Sequence, residues 1–224
     1  DTGSFNEIPN IEKLLNIPSK TSMLPTQEAS QIYEKLGLSP AQIKDTGLTP
    51  DIANELGKAG MHNMNVPSME KSAQALSGTG SIPQTITDTI AESNPDKMVN
   101  AEGKTMSVTD AIKTERDLEQ QANRYRQAGQ RSGNPDYINQ SDKLYERANT
   151  VGDRIDASVG DQSVKQFTQN KSYQDAVEKA GGKPALEEFK KATTIKQIRS
   201  LQKRYVRLNE AIKESGIKQG AEYK

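Results

Sequence analysis

The chain has no cysteine and no tryptophan, a single histidine, and ten aromatic residues in 224. Without thiols there are no disulfides and no thiolate metal sites, and one imidazole cannot supply a two-histidine zinc set. No metal or cofactor is expected. No run approaches the roughly 18 consecutive apolar residues of a membrane span. The N-terminus lacks the basic, apolar, small-residue order of a signal peptide. These absences predict a soluble protein, cytoplasmic or enclosed in an assembly such as a virion. Asp1 in place of Met reads as the start of a processed product or of a piece excised from a longer chain.

Core formers are sparse: Leu, Ile, Val and Phe together make up 40 of 224 residues, fewer than a thick, enzyme-like globule uses. Disorder, however, pairs low hydrophobicity with high net charge, and here 30 basic and 30 acidic residues cancel. Ordered helices in an elongated or partner-supported arrangement are therefore expected.

The zero net charge conceals two halves. Residues 1–100 hold 12 acidic and 7 basic side chains, eight of the ten prolines and five of the six methionines. Residues 101–224 hold 18 acidic and 23 basic side chains, including all nine arginines. A boundary near Asn94–Lys104 follows. Proline removes an amide donor and restricts the residue before it, so the first half should be short helices joined by extended segments. A near-repeat marks two of them, Gly37-Leu-Ser-Pro-Ala and Gly47-Leu-Thr-Pro-Asp. Ser39 and Thr49 fit N-caps, Pro40 and Pro50 the first helical position, and Gly37, Gly47 and Gly57 helix stops. The spacing is that of a small helix-turn-helix, but no basic recognition face accompanies it. Residues 77–83, with Gly78-Thr79-Gly80, read as a linker; the Lys-Ser or Lys-Thr of a phosphate loop is absent.

The second half carries longer periodicity. Ser107-Val-Thr-Asp110 is a capping pattern opening a helix of roughly 22 residues with Ala111, Leu118, Ala122 and Tyr125 on one face. A turn at Gly129–Pro135 leads to a second helix with Leu144, Ala148, Val151 and Ile155 in register. The two predict an antiparallel hairpin. A third helical stretch, Gln162–Ala180, ends at Gly181-Gly182, and Pro184 opens the last helix. The fold class is thus all-α: short Pro-punctuated helices, then a helical hairpin or bundle.

On the last helix Ile198, Leu201, Tyr205, Leu208 and Ile212 form an apolar packing seam, opposite a basic stripe of Lys196, Arg199, Lys203 and Arg207. Between Lys190 and Asn209 there are seven basic residues and no acidic one. The stripe fits a solvated surface, a contact with nucleic acid, or a contact with an acidic partner; with no Trp or Phe opposite, it lacks membrane anchors. No catalytic constellation stands out. His62 has no patterned neighbours, and Glu187-Glu188 suit the electrostatics of a helix start.

The composition points to a non-enzymatic structural or assembly protein bound to other protein subunits, with self-association as a further option. A virion-internal or secretion-machine component would suit a polar helical chain without cross-links. A nucleic-acid-binding module using the basic stripe is the main alternative, and an injected effector or enzyme fragment a third.

Overall fold

The structure is a computed structural model and describes residues 24–78 and 80–221. The fold is all-α, with one two-stranded sheet among the described residues. The chain clusters into two units, each built from separated stretches. Unit 1 comprises the described residues up to Ile82, Lys171–Lys190, and the chain from Leu201. Unit 2 comprises Pro83–Asn170 and Lys191–Ser200. The compositional boundary near Asn94–Lys104 falls inside unit 2, whereas the linker read at 77–83 contains the division.

Unit 1 opens with α1 (Gln27–Leu36), α2 (Pro40–Thr46), α3 (Pro50–Lys58), a 3-10 turn (Met61–Asn63) and α4 (Val66–Ser77). Ser39 accepts from the Gln42 amide while Gln42 accepts from the Ser39 amide, a reciprocal capping box with Pro40 at the first turn. Thr49 occupies the equivalent position before α3, yet its side chain makes no cap bond. Ser39→Ala should therefore cost about 1 kcal/mol and Thr49→Ala close to nothing, to be compared by urea unfolding followed by circular dichroism. Equal losses would mean that capping is not what distinguishes the two starts.

Gly37 and Gly47 end their helices with positive φ, 60° and 68°. Gly57 lies inside α3 instead of ending it, and a Cβ there would sit 2.9 Å from the Glu28 Cβ. Its bare backbone lets α3 close on the start of α1. The short helices consequently fold back on one another, and the path joining them is compact instead of extended. Ala29, Ile32, Leu48, Ala53, Leu56 and Met61 are fully buried here. Buried Asn54 accepts from the Thr26 amide (2.7 Å) and donates to the Leu24 carbonyl (3.1 Å), and Tyr33 donates its hydroxyl to the Leu48 carbonyl (2.7 Å). Each buried polar group of this set is matched.

Unit 2 takes up α5 (Ile82–Glu92) from Pro83 onward and continues with a hairpin of β1 (Met98–Ala101) and β2 (Lys104–Ser107), which the sequence does not announce. Glu102 and Gly103 both take positive φ, 54° and 71°, the geometry of a two-residue hairpin turn. There follow α6 (Val108–Ser132) and α7 (Pro135–Val159), packed as the expected antiparallel helical hairpin. Ser107 caps α6 by accepting from the Asp110 amide (3.0 Å), and Gly133 ends it at φ 67°. Asn134 and Pro135 start α7.

After α8 (Lys165–Thr168), α9 (Lys171–Lys191) breaks at Gly182, whose φ of 79° and ψ of −177° belong to glycine alone. In unit 1 Gly181 lies against α4: a Cβ would approach the Ala75 Cβ to 2.8 Å, and the Ser72 hydroxyl donates to the Gly181 carbonyl (2.8 Å). The segment opened by Pro184 is the second limb of α9, not the last helix. The last helix, α10 (Ile195–Ala221), has its own start: Thr194 accepts from the Gln197 amide while Gln197 accepts from the amides of Thr193 and Thr194. This Thr-x-x-Gln capping box is legible in the sequence and was hidden by the stronger Pro184 signal.

Candidate functional site

Helix α10 contributes to both units, and its basic residues do not form the uniform exposed face that helical angles alone suggest. Lys196 is exposed and Lys203 half-buried. Arg199 is 6% exposed and lies within unit 2. Its Nε donates to Asp156 Oδ1 on α7 (2.8 Å), and its Nη2 donates to both oxygens of Glu115 on α6 (3.0 and 3.1 Å). Burial alone would lower the pKa of Arg199, but the two carboxylates outweigh it and raise the pKa above its ordinary value. One guanidinium thus fastens three helices of unit 2 by a planar fork suited to carboxylates. The expectation of an exposed Arg199 is corrected because its partners lie 43 and 84 residues away in sequence, where a search for neighbours within the helix does not reach.

Five residues on, Arg204 repeats the arrangement more loosely within unit 1. Its Nη1 stands 3.6 Å from Glu188 on α9 and 3.8 Å from Glu55 on α3. Hydrogen bonding from Lys58 is the main cause holding Glu55 below the usual carboxylate range. The pair Glu187-Glu188 is split: Glu187 faces its neighbour Lys190 (3.4 Å), while Glu188 is buried. Arg207 pairs with Glu210 (2.9 Å), and its stem lies on Gly47. Two of the four stripe residues, Arg199 and Arg207, are therefore held in ion pairs within the chain, while Lys196 is exposed.

The seam residues Ile198, Leu201, Tyr205, Leu208 and Ile212 are all buried. Tyr205 is fully enclosed, and its hydroxyl has no hydrogen-bond partner among the described residues. His62 is half-buried in the 3-10 turn, with Nδ1 3.1 Å from the Gly57 carbonyl. No group of three or more His, Cys, Asp or Glu suited to a metal occurs among the described residues. No described helix is long and apolar enough to cross a membrane.

The outer half of the α6–α7 hairpin differs in kind from its base. Near the base the seam is aliphatic, with Leu118, Leu144, Ala148, Val151 and Ile155 buried. Further out the seam continues with Ile138 packed on Gly129, and polar contacts join it: Arg126 pairs with Asp142 and stacks over the Tyr145 ring (5.0 Å), and Tyr145 donates to Asn123. Tyr125 and Tyr137, 38% and 40% exposed, face each other with centroids 6.1 Å apart. Each of these contacts joins the two helices of the hairpin. Sequence reading placed Tyr125 on the apolar face of α6 but gave no sign of Tyr137 opposite, because pairing across the hairpin depends on register. Comparison of the chain with protein-family models, curated proteins and solved structures finds no match.

Proposed function

We propose that this chain is a non-enzymatic structural component of a protein assembly, with the outer half of the α6–α7 hairpin as its contact arm. The observation that carries the reading is the exposed Tyr125–Tyr137 pair on a helical arm of 25 residues a side. Exposed tyrosine and arginine are the side chains that interfaces favour. The enclosed charges support it: buried Glu115 and Glu188 and half-buried Asp156 face arginines, so they serve packing. A virion-internal or secretion-machine setting suits the cysteine-free helical composition. The nucleic-acid alternative loses its main support, since Arg199 is enclosed and Arg207 is paired.

In extracts of the native source, the protein should elute with a complex much larger than its own 24.6 kDa. The Tyr125→Ala, Tyr137→Ala variant should fold normally and leave that complex. Elution of the native protein at monomer mass would count decisively against the reading.

A further inference from the structure

One exposed stripe of α6 carries a charge order that ion pairs among the described residues do not explain. Asp110, Asp117, Arg124 and Arg131 are all exposed and stand at intervals of seven residues, so they lie on one stripe of the helix, with roughly 10 Å between successive members. Gln120 and Gln127, also exposed, fall on the same stripe. Asp117, Arg124 and Arg131 take part in no ion pair among the described residues, while Asp110 caps the helix with Ser107. Along the stripe the order is acid, acid, base, base.

That order is its own complement when reversed. If two copies of α6 are laid antiparallel about a two-fold axis between Gln120 and Gln121, Asp117 of one copy meets Arg124 of the other, and Asp110 meets Arg131. The two-fold generates each pair twice, as an isologous interface requires. Lys113 falls level with Ala128 of the second copy, about one turn from its Arg131 and Arg124, so the acid–base pairs at Asp110 and Asp117 have to outweigh that repulsion. A parallel pairing would set Asp117 on Asp117 and Arg124 on Arg124, so like-charge repulsion excludes it.

We propose that α6 pairs antiparallel with α6 of a second copy of this chain through the Asp110, Asp117, Arg124 and Arg131 stripe. Exposed ion pairs are individually weak and screened by salt. The contact is accordingly low in affinity and strengthens where many copies are held close together. It deepens the assembly reading by naming one partner, and its biological role rests on that reading.

Sedimentation equilibrium over a wide concentration range, in about 0.05 M and about 0.5 M salt, tests it. The wild-type chain should form dimers at low salt and lose them at high salt. Asp117→Arg and Arg124→Asp each set like charges together at both symmetry-related places, and each should weaken dimerisation roughly tenfold or more. The double variant Asp117→Arg, Arg124→Asp restores opposite charges across the two-fold and should recover the wild-type affinity. Both positions are exposed, so circular dichroism should show all variants folded alike. A wild-type chain that stays monomeric at low salt, singles that dimerise as well as wild type, or a double variant that stays apart overturns the proposal. None of these outcomes touches the elution of the native complex, which tests the assembly reading separately.

Discussion

Replacing Arg199 by alanine is expected to destabilise unit 2 by about 3–5 kcal/mol, the range for breaking a buried ion pair from one side. The loss arises less from the bonds removed than from what remains. Glu115, 5% exposed, would be left as a carboxylate without its cation in a medium that solvates charge poorly. In a unit of this size the unfolding midpoint should fall by more than about 10 °C. The control is Arg199→Met, Glu115→Leu, Asp156→Leu, which replaces the whole cluster by apolar side chains. It should recover most of the lost stability, since such substitutions are often neutral or better. If Arg199→Ala left the thermal midpoint unchanged but weakened DNA binding, the arginine would belong to a nucleic-acid face after all.

Tyr205 should give opposite results for two substitutions. Tyr205→Ala removes a fully buried ring and should cost about 3–5 kcal/mol. Tyr205→Phe keeps the ring and deletes a hydroxyl that has no partner among the described residues, so unit 1 should gain about 1 kcal/mol. Tyr33 is the contrast within the same unit: its hydroxyl bonds the Leu48 carbonyl, and Tyr33→Phe should lose about 1 kcal/mol by orphaning that acceptor.

The two phenols also fix the alkaline limit of stability. Burial is the first cause raising both above the ordinary value of 10.0, assisted by Asp51 at Tyr33 and by Glu188 at Tyr205. A raised pKa means that the folded chain holds the proton more tightly than the unfolded chain. Their contribution is fully present below pH 10 and is lost as the pH climbs toward the folded-state values, by about 1.4 kcal/mol per pH unit for each tyrosine. Tyr205→Phe should roughly halve that slope in urea titrations between about pH 10 and 11. An unchanged slope would show that Tyr205 ionises as freely in the folded chain as in the unfolded one.

Much of the local structure was legible because it depends on neighbours in sequence. Ser39-Pro40, Ser107–Asp110 and Asn134-Pro135 state helix starts through side chains within three residues of the amides they serve. The periodicity of α6 and α7 announces two helices, and the short turn between them makes them antiparallel. The seam on α10 follows from spacing alone. The β1–β2 hairpin escaped notice because two four-residue strands carry little alternation, and Glu102-Gly103 is a less familiar turn pair than Asn-Gly.

What the sequence determined by itself was the helical class, the hairpin, the caps and the seam, all set by forces acting within about one or two turns of chain. Tertiary structure alone decided the division of the chain into discontinuous units and the fate of the charges. Arg199 reads as a surface cation in its own helix, and becomes a buried clamp only when α6 and α7 bring Glu115 and Asp156 to it. Charge acts through space, and the distances that govern it are created by folding. With few aromatics and no disulfides, the chain joins its helices through an aliphatic core and, in unit 2, through the buried arginine, Arg199.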